Sequence, residues 1–219
     1  MPSEITRIVL RAQDQEDSTR VSTEIAEASL DHHHLREDCK MQKNVVIISS
    51  SPRRHGNSDI LCDQFASGAG DAGHHVEKIA LRDKVVDYCT GCGACFSDGN
   101  ACSQEDDMAE ILDKMIAADV IVMATPFYFY MLAAQMKTLI DRTCARYREI
   151  SNKEFYFIMT AAVADKGLLQ RTLEAFRGFT ACLDDPIEKG VIYGTGAWNI
   201  GEIKSSRVMD EAYAMGNNA

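Results

Sequence analysis

Basic charge is scarce in this chain. Against 33 Asp and Glu stand 23 Lys and Arg, a formal net charge of −10. An electrostatic binder of nucleic acid or of an anionic membrane needs a basic face, so neither partner is expected. Long apolar runs are missing too, and none approaches the roughly 18 residues of a membrane span. The opening stretch, MPSEITRIVLRAQDQEDSTR, holds no apolar core of signal-peptide length. That points away from secretion and toward a cytoplasmic location. There is no internal repeat and no low-complexity segment. Eight cysteines are too few for a disulfide scaffold in 219 residues, yet half of them are clustered. In a chain of cytosolic character such clustering suggests metal or redox chemistry.

What is present is ordinary for a soluble protein: 46% apolar, 7% aromatic and 26% charged residues. The length fits one domain, or one domain with an extension. The first forty residues are polar and carry only scattered Ile5, Ile8, Val9, Val21, Ile25 and Leu30. Residues 1–42 are therefore read as an extension, poorly ordered or loosely packed, and 43–219 as the folded domain. Asp31-His32-His33-His34 offers metal ligands. Adjacent histidines cannot all point one way, which favours a solvated run.

From Asn44 the pattern is regular. Val45 to Ile48 is a β-branched run of the kind buried on both faces of a sheet. A helix is predicted from Asn57-Ser58, both good N-cap residues. Val76 to Leu81 reads as a more polar strand near an edge. Asp107 opens a helix with Met108, Ile111, Leu112 and Met115 on one face. Val120 to Ala124, Phe155 to Met159 and Val191 to Tyr193 are further strands. Helices carry Met136, Leu139 and Ile140, then Leu169, Leu173 and Phe176, then Val208, Met209 and Ala212. Alternating strands and helices predict an α/β fold with a parallel sheet covered on both faces. Five strands favour the flavodoxin-like order 2-1-3-4-5, with ligand at the strand carboxyl ends near the β1/β3 switch point.

Two loops meet at that point. Ser51-Pro52-Arg53-Arg54-His55-Gly56-Asn57-Ser58 supplies hydroxyls, an amide, guanidinium groups and a helix N-terminus. Such a set suits a terminal phosphate, and Gly56 permits close backbone approach. It is neither a Walker A loop nor the Gly-x-Gly-x-x-Gly dinucleotide turn. The plain alternative is a polar turn with a capping Asn. The second loop, Thr125-Pro126-Phe127-Tyr128-Phe129-Tyr130, has four consecutive aromatics that cannot all be buried on one side. A planar heterocycle against it, with its phosphate in the first loop, accounts for both. Hydrophobic core plus subunit contact stays open for Phe129 and Tyr130.

These two motifs resemble the flavodoxin-fold NAD(P)H-dependent FMN reductases, in particular their iron–sulfur-flavoprotein branch. The resemblance covers roughly residues 43 to 216. It extends to Ala134-Gln135-Met136-Lys137-Thr138-Leu139-Ile140-Asp141-Arg142 and to Gly194-Thr195-Gly196-Ala197-Trp198-Asn199. It implies FMN, with Ser51, Arg53, Asn57 and Ser58 around the phosphate. Pro126 to Phe129 would run along the isoalloxazine, partly through backbone groups, and Thr125 is counted with them among the cofactor-binding residues. The loop from Ala161 to Asp165, including Ala162, would close the far side. One departure is Ser50, where such loops more often carry Gly. NAD(P)H would be the co-substrate, and Arg54, Arg142 and Arg146 are candidate partners for a 2′-phosphate. The resemblance also implies a homo-oligomer with the flavin near an interface.

Cys89, Cys92, Cys95 and Cys102 read Cys-x2-Cys-x2-Cys-x6-Cys within the loop 86–105. Thiolates so close in sequence suit iron–sulfur ligation, with zinc as second choice and a cluster-free loop as the alternative. In iron–sulfur flavoproteins a similarly compact motif holds [4Fe–4S]. Here the last spacing is slightly long and no proline follows Cys102. Cys62, Cys144 and Cys182 read as small core residues on helices.

The implied reaction passes reducing equivalents from NAD(P)H through FMN to a small-molecule or protein acceptor. No side-chain base is needed for hydride transfer to a flavin, so no catalytic residue is assigned. Three other classes compete: an iron–sulfur electron-transfer protein without direct NAD(P)H oxidation, a flavodoxin-like carrier, and a redox-sensing regulator. A flavodoxin would carry a Thr/Ser-rich phosphate loop without Pro-Arg, and a regulator would need a basic DNA-binding segment.

Overall fold

The computed structural model describes residues 41–97 and 101–219. The expectations for residues 1–40, including those for Asp31 to His34, lie outside the described residues. Five parallel strands form one sheet: β1 Asn44–Ser49, β2 His75–Ala80, β3 Val120–Pro126, β4 Glu154–Thr160 and β5 Ile187–Gly194. Their order is β2-β1-β3-β4-β5, as the sequence predicts. The helices are α1 Asn57–Asp71, α2 Met108–Ala117, α3 Ala134–Arg142, α4 Gln170–Thr180 and α5 Val208–Asn217.

Strand periodicity divides the core in two. Val46, Ile48, Ile121, Met123, Phe155 and Phe157 face α2, α3 and α4 through Ile111, Met115, Met136, Leu139 and Phe176. Val45, Ile47, Val120, Val122, Tyr156 and Ile158 face α1 and α5 through Leu61, Phe65, Val208 and Ala212. Burial on both faces explains why the central strands are unbroken apolar runs. β2 is the polar edge strand. β5 begins earlier than its apolar residues suggest, because Ile187 to Lys189 are exposed at the other edge.

Helices α1 and α5 approach unusually closely, and two glycines make this so. A Cβ on Gly68 would sit 2.1 Å from the Tyr213 carbonyl oxygen, and one on Gly216 would sit 2.1 Å from that of Phe65. Only glycine fits either position. Among the described residues, no helix is long and apolar enough to cross a membrane.

Candidate functional site

β1 and β3 are neighbours whose connections leave in opposite directions, so a crevice opens beyond their carboxyl ends. A cleft of about 300 Å3 lies there. It is bordered by Ser51, Arg53, Gly56, Asn57 and Ser58 from the first loop and by Pro126 to Phe129 from the second. Thr160, Ala161 and Ala162 close one side, and Ala197 and Trp198 another.

The first loop is built tightly. Ser51 Oγ donates to the Arg53 carbonyl at 2.9 Å, and Gly56 N donates to the same carbonyl at 3.2 Å. A Cβ at Gly56 would lie 2.5 Å from Ser51 Oγ, so the cradle admits no side chain there. Gly56, rather than Asn57, is the N-cap of α1, and no side chain caps the helix. Its first-turn N–H groups are thus left for a ligand. Ser58 is 1% exposed, borders the cleft, and its Oγ is buried with no hydrogen-bond partner. A buried hydroxyl without a partner is costly unless a ligand completes it. Together these features fit a phosphate. Behind the loop, Asp59 is buried against Lys78 and Arg82. Burial pushes its carboxyl up, but the two cations outweigh this and hold it below the usual range. Ser50 keeps negative φ, so the missing glycine costs nothing. Its N and Oγ both donate to the Ala124 carbonyl at 2.9 Å.

Asn57 has a different task from capping. Its Nδ2 donates to the carbonyls of Ala197 and Asn199 at 3.2 and 2.9 Å. Its Oδ1 accepts from Gly201 N and Ile203 N at 3.1 and 3.4 Å. The loop after β5 is thereby clamped to α1. Arg53 adds a second tie, donating from Nη1 to the Trp198 carbonyl at 3.0 Å.

The aromatic loop is a two-residue turn. Tyr128 and Met131 exchange N–H···O bonds at 3.1 and 2.9 Å, and the residues between them, Phe129 and Tyr130, have φ of 48° and 65°. Two positive φ values are the type I′ pattern, for which Asn-Gly is the usual choice. Bulky side chains there are strained, and such strain clusters at functional sites. The turn displays Phe129, which is 98% exposed. Phe127 packs edge-on against Tyr130 at 5.4 Å.

Two predicted residues do not border the cleft. Thr125 is fully buried, where Oγ1 donates to the Pro126 carbonyl and accepts from Ala133 N, both at 2.9 Å. It ties the two ends of the aromatic loop together. The Asp165 side chain accepts from Gly167 N at 2.8 Å and caps a short turn. Thr160 borders the cleft without a sequence signal, and Trp198 enters it from the Gly-rich loop after β5.

The cysteine loop forms a second centre. Cys89, Cys92, Cys95 and Cys102 border one cavity of about 100 Å3, and Cys144 borders it with them. Among the described residues no three Cys, His, Asp or Glu side chains are grouped closely enough to hold a metal ion as they stand. The donor chemistry nevertheless fits soft-metal or iron–sulfur ligation, since five cysteines border this cavity. Cys92 Sγ lies 3.3 Å from Ser103 Oγ, and this contact holds the thiol below its usual value. Cys144 is therefore not a core residue, which corrects the sequence reading. It lies on the turn Thr143–Ala145 after α3, where burial and then the neighbouring Cys95 push its thiol up. Cys182 is exposed, a second correction, while Cys62 is buried as expected.

Arg142 is a third correction. It is not an exposed phosphate partner but a buried clamp at the base of the cysteine loop. It pairs bidentately with Asp106 at 2.6 and 2.9 Å and donates to the Asp87 carbonyl at 2.6 Å and to Gln104 Oε1 at 3.1 Å. Both limbs of the loop are thus held to the end of α3.

Fold and cleft together define a flavodoxin-type α/β protein whose switch-point loop has the features that fit a phosphate. Residues 43–182 match the NADPH-dependent FMN reductase family, and the chain belongs to that family. It is 40% identical over 97 residues to an iron-sulfur flavoprotein of Archaeoglobus fulgidus, covering 44% of each chain. It is 38% identical over 96 residues to an iron-sulfur flavoprotein of Methanosarcina thermophila, covering 44% of this chain and 50% of that one. The matched segments thus span about half the length of these relatives. Among solved structures, the NAD(P)H:quinone oxidoreductase from Methanothermobacter marburgensis aligns with a TM-score of 0.64 at 16% identity, over 81% of this chain and 96% of that one. That likeness concerns the fold.

Proposed function

We propose that residues 43–219 bind FMN in the switch-point cleft and pass reducing equivalents from NAD(P)H to an acceptor such as a quinone, free flavin or a one-electron carrier. The observation that carries this reading is the buried, unpartnered Ser58 Oγ beside the uncapped first turn of α1. Bound there, FMN would supply hydride acceptance from a nicotinamide and onward transfer of one or two electrons. Ser51, Ser58 and the first-turn N–H groups hold the phosphate, and Arg53 adds charge. Asn57 acts at one remove, by fixing the loop that carries Trp198. Pro126 to Phe129 support the ring system, and Ala161 and Ala162 leave room on its far side. No side-chain acid or base is assigned.

A second reading is an iron–sulfur flavoprotein that exchanges electrons with ferredoxin-type partners and does not oxidise NAD(P)H directly. The shared cavity of the four motif thiols favours it. Cys89, Cys92, Cys95 and Cys102 would hold the cluster. In either reading the protein works in the cytoplasm, without nucleic acid or membrane, as a homo-oligomer. An open apolar groove of about 1290 Å3, running from Phe129 past Leu132 and Ile140 to Phe179, supports self-association.

Anaerobic mixing of the flavin-loaded protein with NADH or NADPH separates the readings. Bleaching of the flavin bands within a turnover supports the reductase. Bands that stay unbleached by either nucleotide but respond to a reduced ferredoxin support the second reading. Protein that takes up no FMN contradicts both.

A further inference from the structure

We infer that Cys95 and Cys144 form a redox-active thiol pair, which closes to a disulfide when the cysteine loop is free of metal. The turn Ala94–Phe96 packs directly on the turn Thr143–Ala145, which follows α3. A neighbouring cavity of about 170 Å3 lies beneath Tyr147 and Arg148. Only Cys95, Phe96 and Cys144 border both this cavity and the one over the motif thiols, so these residues form the partition between them. Both thiols are partly exposed and open to a small oxidant, whereas Cys62 is sealed in the core. Single-turn segments in direct contact can bring their Cα atoms to the roughly 4.4–6.8 Å that a disulfide needs.

The nearer partner in sequence, Cys92, is held toward the other limb of the loop by Ser103. Arg142, two residues before Cys144, fixes that loop against α3 through the Asp87 carbonyl and Asp106, which holds the two turns together. Oxidation forms one S–S bond between Cys95 Sγ and Cys144 Sγ and breaks two S–H bonds. With hydrogen peroxide as oxidant, the two electrons and two protons end in two waters. Cys95 is one of the four motif thiols, so the disulfide and ligation by all four exclude one another. The pair would then report oxidant by deciding whether the centre can be filled. This inference requires neither bound flavin nor an assembled cluster.

The test uses the full chain, reduced with a phosphine in the presence of an iron chelator, desalted, and oxidised with hydrogen peroxide. Remaining thiols are alkylated, and the protein is digested with trypsin without reduction. Cleavage after Arg142 and Arg146 isolates Cys144 in a tetrapeptide, while residues 85–114 carry all four motif thiols in one peptide. The expected result is loss of the alkylated tetrapeptide and its appearance joined to the 85–114 peptide, reversed by reductant. Cys95→Ser should abolish the joined species and Cys102→Ser should keep it. The inference is overturned if Cys144 stays alkylated, if it is joined to Cys39, Cys62 or Cys182, or if the joined species survives Cys95→Ser. Should either variant fail to fold, fragment-ion sequencing of the wild-type joined species assigns the bond: linkage at Cys95 supports the inference, and linkage at Cys89, Cys92 or Cys102 overturns it.

Discussion

Replacing Asp106 by Asn leaves Arg142 buried without its counter-charge. The two side chains are 4% and 1% exposed and lie 2.6 Å apart. Removing one partner of a buried pair costs about 3–5 kcal/mol, because the surviving charge is stranded in low dielectric. Arg142 would keep the Asp87 carbonyl and Gln104, which places the loss toward the lower figure. In a chain of this size that corresponds to a fall in Tm of about 6–20 °C. The double variant Asp106→Asn with Arg142→Met removes both charges and should cost less than the two single losses added together. The difference should be about 1 kcal/mol or more, the coupling of groups in direct contact. The pair also sets a pH dependence. Burial pushes the Asp106 carboxyl up, but Arg142 and the N–H groups of Asp87 and Met108 hold it below the usual value. A lowered folded-state value stabilises above the unfolded value, about 3.9, and that stabilisation is lost as pH falls through the folded value. Wild type should therefore lose stability below about pH 4 along a limb that Asp106→Asn lacks. Urea unfolding at several pH values measures both effects. An Asp106→Asn loss below about 1 kcal/mol at neutral pH would show that the clamp is not structural.

Three further outcomes are expected. Gly216→Ala forces a methyl against the Phe65 carbonyl and should destabilise by at least about 1–3 kcal/mol in thermal melts; an unchanged Tm would mean α1 and α5 can part freely. Replacing Phe129-Tyr130 by Asn-Gly should relieve about 1–3 kcal/mol of turn strain while weakening FMN binding. A variant no more stable than wild type that binds FMN as well would remove the functional reading of this turn. Sedimentation at micromolar concentration should give a multiple of the 24.3 kDa chain, and a mass near that value would refute self-association.

The sheet was legible because its central strands are buried on both faces, which leaves runs such as Val45 to Ile48 and Val120 to Ala124. The first loop was legible as a cleft wall because Ser51, Gly56 and the start of α1 are contiguous in sequence. What escaped depends on partners far along the chain. Asn57 looks like a cap until its partners, Ala197 to Ile203, are folded against it. Arg142 sits at the end of an amphipathic helix and looks solvated, yet the cysteine loop wraps over it. Cys144 appears isolated because its neighbours are about fifty residues away, joined only by the packing of two short turns. The positive φ of Phe129 and Tyr130 had no signal at all, since neither residue favours that conformation.

If the Ser51–Ser58 loop holds the phosphate of FMN, that phosphate should account for much of the affinity. Riboflavin shares the ring system and lacks the phosphate, so paired fluorescence titrations of the two ligands isolate that contribution. Wild type should bind FMN far more tightly than riboflavin. Each charge-assisted hydrogen bond lost in Arg53→Ala with Ser58→Ala should cost about 1.5–3 kcal/mol, roughly tenfold or more in affinity. The gap between the two ligands should therefore narrow in the double variant, because any loosening of the Trp198 loop on losing the Arg53 tie affects both ligands alike. A gap that stays as wide as in wild type would place the phosphate elsewhere.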